Sequence, residues 1–200
     1  TQGTTPTGTG TGTDGATSPM TVDYPASVAV GDLLVMVIGQ KPSTANSGSV
    51  TTPGGWTLLG SLTGAGGYGA TLAADTGNTN IYVYYQVAAS ALSGTFTVDH
   101  ATTSGMWGQV FRFTNATGAW SLAMATGSDT SAGSVSIAFG SNPGVTAGDY
   151  ILGAMVIPTD VTTPSQFSAE ALTQTGITFG TVTERSEPET TSGNDVGGFV

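Results

Sequence analysis

The stretch PASVAVGDLLVMVIGQ, Pro25–Gln40, decides the fold class, and a second version of it, PGVTAGDYILGAMVIP, occupies Pro143–Pro158. Each version has a valine, two further residues, a Gly-Asp pair and then a mostly apolar run. A short continuous apolar run bounded by turn residues is typical of a strand in the middle of a sheet. The repeat therefore predicts two equivalent core strands, each beginning after a Gly-Asp turn.

The two Gly-Asp pairs are interpreted as structural turns, Gly31-Asp32 in the first version and Gly148-Asp149 in the second. Glycine adopts backbone conformations that are closed to other residues, and an aspartate side chain accepts hydrogen bonds from nearby backbone amides. The alternative makes both aspartates calcium ligands, but calcium requires six to eight converging oxygen atoms. Neither version has the dense Asp and Asn spacing of a calcium loop, so the sequence favours turns.

The composition predicts an all-β chain. The 200 residues include 31 Gly and 9 Pro, and the chain is rich in Thr and Ser. Threonine packs well on a pleated surface because it is β-branched, and Gly and Pro supply turns. Many short predicted strands separated by turn residues indicate an antiparallel β-sandwich of the jelly-roll kind.

Alternation of side chains assigns faces to the predicted strands. In IYVYYQVA, Val83 and Tyr85 share one face, while Tyr82 and Tyr84 share the other. MWGQVFRFT places Trp107, Phe111 and Phe113 together, opposite Met106 and Val110. The segments WSLAMA, residues 120–125, and TFGTVTERSE, residues 178–187, are also predicted to be strands.

Two domain-level expectations follow from the order of segments. Residues 1–19 are low-complexity Thr/Gly sequence and are predicted to be a flexible arm or linker, with an arm ordered against a partner chain as the alternative. Residues 20–200 are predicted to form one sandwich with an internal half-repeat, 25–116 and 143–200. The offset makes Val200 the counterpart of Val83, so either the halves are not equivalent or the chain continues beyond Val200, and we expect the second.

Charge excludes several classes of partner and site. The net charge is −10 and the chain has three basic residues, so it lacks the Lys/Arg clusters that bind nucleic acid or anionic membranes. With no cysteine, disulfide frameworks and thiolate metal sites are excluded. We expect no cofactor.

Candidate catalytic residues are few, and the sequence predicts no enzyme. His100 is the single histidine, and its neighbour Asp99 would point to the opposite face of a strand. The glutamates of ERSEPE, at positions 184, 187 and 189, are interpreted as a solvated strand end rather than a catalytic pair. GAGGYG, residues 64–69, lacks the helix and the cation of a phosphate cradle, and NAT, residues 115–117, fits a glycosylation acceptor that also arises by chance.

The aromatic residues suggest the one binding hypothesis. Trp120, Tyr82 and Tyr84 are candidate contacts for a glycan, because aromatic rings stack on sugars. The alternative, that these rings belong to the core, is favoured in a chain with few other large side chains.

Five motifs occur in one order: PASVAVGDLLV (25–35), TPGGWTLL (52–59), IYVYYQVA (81–88), GTFTV (94–98) and GQVFRFTNA (108–116). This series resembles a widespread group of tailed-phage virion proteins, jelly-roll or β-sandwich modules of capsid decorations, head fibres and tail appendages. The resemblance covers residues 21–116 and extends more loosely over 143–200. Gln86 departs from it, since such proteins often carry a lysine after the tyrosine.

The resemblance implies a non-enzymatic virion structural protein, in the first place a capsid decoration or cement protein that stabilises a tailed-phage head. Its partners would be the major capsid protein and copies of itself, in a homo-oligomer such as a trimer, and its location would be the virion surface. One alternative is a head-fibre or tail appendage that binds host surface glycans. Another is a bacterial extracellular carbohydrate-binding or adhesive module.

Overall fold

The computed structural model of the chain describes residues 9–14, 17–44, 47–65, 77–114, 119–130, 136–140, 144–158, 170–188, 190 and 196–200. Residues 1–8 of the predicted arm lie outside these ranges, as do the NAT sequence at 115–117 and Glu189. Most of GAGGYG, residues 66–69, lies outside them as well.

The described residues form strands and irregular segments, without a helix, which confirms the all-β prediction. Nothing in this part of the chain could therefore span a membrane as an apolar helix. The strands are β1 (Thr9–Asp14), β2 (Met20–Asp23), β3 (Leu33–Pro42), β4 (Ser49–Val50), β5 (Thr57–Ala65), β6 (Thr79–Val87), β7 (Thr95–Val98), β8 (His100–Ala101), β9 (Thr103–Phe113), β10 (Met155–Ile157) and β11 (Gly197–Phe199).

A five-stranded antiparallel sheet with the order β1-β9-β3-β6-β5 is the centre of the fold. The predicted core strand β3 lies in its middle, and all ten of its residues are buried. Three two-stranded antiparallel sheets, β2-β7, β4-β8 and β10-β11, complete the structure. The sheets pack against each other, as the prediction of a β-sandwich requires.

Both faces of the five-stranded sheet are covered by apolar side chains. On one face, Tyr82 and Tyr84 of β6 pack with Met20 and Val22 of β2 in what we name the first core. The second core lies on the opposite face and contains, among others, Leu33, Val35, Val37, Trp107, Phe111, Phe113, Val196 and Val200. Val83 and Tyr85 pack against the second core, so the predicted alternation of β6 is confirmed.

The Thr/Gly-rich leader contributes a strand to this sheet. Thr9–Asp14 pair with β9 from Thr9 opposite Phe111 to Asp14 opposite Met106. β1 therefore occupies one edge of the sheet of its own chain, within the segment that the sequence predicts to be an arm.

Two strand predictions are wrong. Residues 120–125 and 178–187 have no regular strand structure, although Trp120 and Leu122 pack against the second core. An alternating pattern produces a strand only where a neighbouring backbone supplies a ladder of hydrogen bonds. In the second segment, Arg185 and Ser186 form backbone hydrogen bonds with Val200, which is too short a ladder to make a strand.

Candidate functional site

The first Gly-Asp pair forms a capped turn at the start of β3. The Asp32 amide donates to the Ala29 carbonyl at 3.2 Å, and Gly31 at the third position has a φ of 88°. This positive φ is characteristic of a type II turn and favours glycine. One carboxylate oxygen of Asp32 accepts a hydrogen bond from the Ala29 amide at 2.8 Å, which closes the turn on itself.

The second Gly-Asp pair repeats this geometry. The Asp149 amide donates to the Thr146 carbonyl at 3.1 Å, and the φ of Gly148 is 94°. The Asp149 carboxylate accepts from the Thr146 amide at 2.7 Å and from its hydroxyl at 3.0 Å. In both turns the carboxylate binds its own backbone, which is the role of the structural turns predicted from the sequence.

The two turns differ in their surroundings. Asp32 is buried and forms an ion pair with Arg112 of β9, with 2.9 Å between the carboxylate oxygen and Nε. Arg112 also donates from a terminal nitrogen to the Ala26 carbonyl at 2.8 Å. Asp149 is exposed. The first turn is thereby fastened to a neighbouring strand and to the preceding loop.

Metal ligation finds no support in this geometry. Within the ranges that the structure describes, no three His, Cys, Asp or Glu side chains come together as a group that could hold a metal ion. Calcium in proteins takes six to eight oxygen ligands. Each turn aspartate instead directs an oxygen at its own backbone.

Two of the three candidate glycan-binding aromatics lie in the first core. Tyr82 is 6% exposed and Tyr84 is 1% exposed, and their rings stack with centroids 6.5 Å apart. Their hydroxyls lie 3.4 Å from the carbonyls of Gly48 and Val50, respectively. Because protein covers both rings, they leave no free face for a sugar, and these tyrosines act as core residues.

Trp120, the third candidate, joins an irregular segment to the first turn. It is half-buried, packs against the second core and donates its indole N–H to the Gly31 carbonyl at 3.0 Å. The indole N–H is thus hydrogen-bonded, and the apolar part of the ring packs against the second core. The structure brings Trp120 to Gly31 and does not bring it to Tyr82 or Tyr84.

Raising the pH above 10 is expected to destabilise the fold through the buried tyrosines. Burial, with a smaller contribution from the neighbouring Tyr82, raises the pKa of Tyr84 from 10.0 to about 12. The unfolded chain loses the Tyr84 proton at lower pH than the folded chain does. The stabilisation from the neutral phenol is therefore complete below pH 10 and is lost between pH 10 and about 12.

Urea midpoints measured from pH 8 to pH 12 check this expectation. The Tyr84→Phe variant has no phenol to ionise at this position, so its midpoint should fall less steeply above pH 10. An equally steep decline in the variant would show that other groups control alkaline unfolding.

His100 is a structural residue rather than half of a catalytic pair. It is 8% exposed, and its ring nitrogens lie 3.0 Å from the Thr103 hydroxyl and 3.1 Å from the Thr17 carbonyl. Its backbone amide donates to the Ser18 hydroxyl. Asp99 is exposed and lies between β7 and β8. The histidine therefore fixes the segment before β2 against β8.

The glutamate cluster lies in the C-terminal irregular part of the chain. Partial burial raises the pKa of Glu184, and repulsion from Glu187 and Glu170 adds to the rise. An open depression of about 490 Å³ lies nearby, lined by residues of one segment from Glu170 to Val182. The raised pKa of Glu184 follows from burial and, second, from neighbouring like charges, and it defines no acid-base pair across a cleft.

Sequence reasoning missed a group of exposed apolar side chains at the end of the sheet where β3 begins. Val30, Val87 and Tyr150 are 71%, 43% and 42% exposed. We name this group the apolar end. The sequence feature that could have revealed this group is Val30 in the first Gly-Asp motif. An apolar side chain at the second position of a turn points into solvent.

Several contacts place these residues at the same end of the fold. The Gly31 amide beside Val30 donates to the Ala88 carbonyl beside Val87 at 2.8 Å. Leu33 is paired with both Val87 and Phe113. The Tyr150 ring lies edge-on to the Phe113 ring, with centroids 5.2 Å apart.

Comparison with protein-family models, with curated proteins and with solved structures finds no match for this chain.

Proposed function

We propose that this chain is a non-enzymatic structural protein of a virion surface, and specifically a decoration or cement protein of a tailed-phage head. The observation that carries the proposal is the apolar end, three exposed apolar side chains at one end of the sheet on a chain of net charge −10. The choice of a tailed-phage particle rests on the five ordered motifs, which resemble tailed-phage virion modules.

The apolar end has the properties of a docking surface. Exposed apolar groups that cluster together mark sites of contact with other macromolecules. The only charged pair in the adjoining turn, Asp32 with Arg112, is largely buried, so it adds little charge to this surface. A capsid subunit that covered Val30 and Val87 would remove apolar area from water.

The candidate chemical groups support a constructional role as well. Asp32, His100, Tyr84 and Trp120 each bind backbone groups of other segments or of their own turn. Their partners hold turns, loops and strands together. A rigid chain suits a decoration protein. Such a protein is retained because many modest contacts, repeated over a shell, add up to strong binding.

Particle fractionation tests the proposal directly. Mass spectrometry of purified heads and tails should find the chain in heads, and heads that lack it should lose their DNA at lower temperature. Heads of unchanged heat stability would overturn the cement function. Recovery in tails, together with loss of adsorption in its absence, would favour the appendage alternative.

A paired substitution tests the docking surface. Val30→Lys with Val87→Lys places two charges on the apolar end, and we expect head occupancy to fall by about tenfold or more because the charges would be desolvated. Thr95→Lys with Thr97→Lys adds the same charge to exposed positions of β7 and should leave occupancy unchanged. Equal occupancy of the two double variants would show that the apolar end is not the contact surface.

A further inference from the structure

The sequence of β1 provides little besides its backbone to attach it to the fold. Its six residues are TGTGTD, three threonines, two glycines and an aspartate. It lies at one end of the strand order of the five-stranded sheet and pairs with β9, from Thr9 opposite Phe111 to Asp14 opposite Met106. Glycine weakens a strand because it has no side chain to pack. The backbone ladder with β9 is therefore the main attachment of β1, and any chain with the same β9 offers it.

The register of β1 is also weakly specified by its sequence. Residues 7–13 read TGTGTGT, so a shift by two residues places the same residue type opposite each position of β9. Gly-rich strands of this kind are prone to alternate pairings and to exchange between chains. The next strand, β2, differs because Met20 and Val22 are 1% and 0% exposed in the first core. β1 therefore has the properties of an exchangeable strand, and β2 does not.

β9 is held in place independently of β1. Its other edge pairs with β3 along the strand, from Leu33 opposite Phe113 to Pro42 opposite Thr103. Trp107 and Val110 of β9 are fully buried, the first in the second core and the second in the first core. Release of β1 would leave β9 in its register, with an edge that accepts the same sequence from another chain.

The fixed part of the chain begins three residues after β1. The His100 ring lies 3.1 Å from the Thr17 carbonyl, and the His100 amide donates to the Ser18 hydroxyl at 3.1 Å. β1 ends at Asp14. Three residues of extended chain span about 10 Å. An exchanged β1 could therefore reach only a second chain that lies directly against this edge of the sheet.

We propose that β1 is exchanged between two copies of this chain, so that β1 of each copy pairs with β9 of the other in the register observed within one chain. Exchange of an identical element is a simple route to dimers, because every hydrogen bond that is broken forms again. The partner is a second copy because its β9 has the backbone and the neighbouring strand β3 to which β1 is already matched. This inference does not depend on the proposed function.

Concentration sets the balance between the two forms. A strand on a short linker meets its own β9 at an effective concentration in the millimolar range. The exchanged dimer therefore competes with the closed monomer once copies of the chain reach about 1 mM, or wherever an assembly holds them side by side.

Engineered cysteines test the exchange, and the chain has no cysteine of its own to give a background. Thr11 lies opposite Gln109 in the ladder of β1 and β9. Directly opposite residues are close enough for a disulfide. A chain with Thr11→Cys is mixed with a mass-tagged chain with Gln109→Cys at about 1 mM in a glutathione redox buffer. We expect a disulfide between positions 11 and 109 of different chains, identified by intact mass and peptide mapping.

Thr21→Cys mixed with Thr97→Cys is the matched control. These positions are exposed and lie opposite each other in the ladder of β2 and β7. Because β2 is fixed by its buried side chains, this mixture should give at least about tenfold less disulfide between chains. Equal yields from the two mixtures would identify random collision and would overturn the proposal.

A double variant with Thr11→Cys and Gln109→Cys verifies the geometry within one chain. At about 10 µM, far below the effective concentration of the linker, it should close on itself. Closure within one chain without a yield between chains above the control would overturn the exchange. Failure of the 11–109 disulfide in the double variant and in the mixture would contradict the pairing of β1 with β9, and with it the proposal.

Sedimentation equilibrium measures the exchange without a covalent trap. The wild type should be monomeric at about 10 µM and should form dimers at about 1 mM. The N–H groups of a strand alternate between its two edges, so Gly12→Pro with Thr13→Pro removes a donor from the ladder with β9. We expect the dimer fraction to fall about tenfold, whereas Gly12→Ala with Thr13→Ala keeps both N–H groups and should dimerise as the wild type does. A monomeric wild type at 1 mM, an undiminished dimer in the proline variant, or loss of the dimer in the alanine variant would each overturn the proposal.

Discussion

Replacement of Trp107 by alanine is expected to lower the free energy of unfolding by about 3–5 kcal/mol, the usual cost of emptying a buried aromatic site. The Trp107 side chain is 0% exposed and lies in the second core, between the two halves of the chain. Its indole fills the space beside Gly39 of β3 and Gly198 of β11, where a Cβ atom at either glycine would overlap the ring. Alanine at position 107 would leave a cavity that both halves line. Urea denaturation followed by circular dichroism measures the loss.

Trp120→Ala is the matched control for this prediction. Trp120 is half-buried and forms one hydrogen bond, so its removal should cost about 1–2 kcal/mol. A smaller loss for Trp107→Ala than for Trp120→Ala would contradict the assignment of Trp107 as the anchor between the halves. Gly39→Ala tests the same contact from the other side and should destabilise by about 1–3 kcal/mol through overpacking.

The central part of the fold follows from local sequence signals. The apolar run of β3 predicts a strand with neighbours on both edges, and β3 has β6 and β9 beside it. Strict alternation in β6 assigns Tyr82 and Val83 to opposite cores. These signals suffice because a buried strand must place apolar side chains on each covered face.

Other features depend on contacts that no local pattern contains. β1 is Thr/Gly sequence without an apolar face, and its strand structure comes from pairing with β9. Gly39 is small because Trp107 of another strand lies against it. The same limit applies to the candidate site, since alternation alone does not reveal that Tyr84 is covered and that Val30 and Tyr150 are exposed.

Substitution of Asp32 by alanine is expected to lower the free energy of unfolding by about 3 kcal/mol, because it removes one partner of a largely buried ion pair. The Arg112 and Asp32 side chains are 16% and 9% exposed, so Arg112 would keep a poorly hydrated charge without its carboxylate. The turn would also lose the hydrogen bond from the Ala29 amide. Asp32→Asn retains an acceptor for that amide but not the charge, and it should lie between alanine and the wild type. Thermal and urea unfolding of the three proteins give the order.

Asp149→Ala is an internal control, because the second turn has the same backbone geometry and the same carboxylate-to-amide bond in an exposed setting. We expect it to cost about 0.5–1 kcal/mol, the net contribution of an ordinary hydrogen bond. The difference in free energy of unfolding between the two alanine variants then measures how much burial and Arg112 stabilise the first turn relative to the second. Equal losses at the two positions would mean that the turn itself, and not the ion pair, accounts for the stabilisation at Asp32.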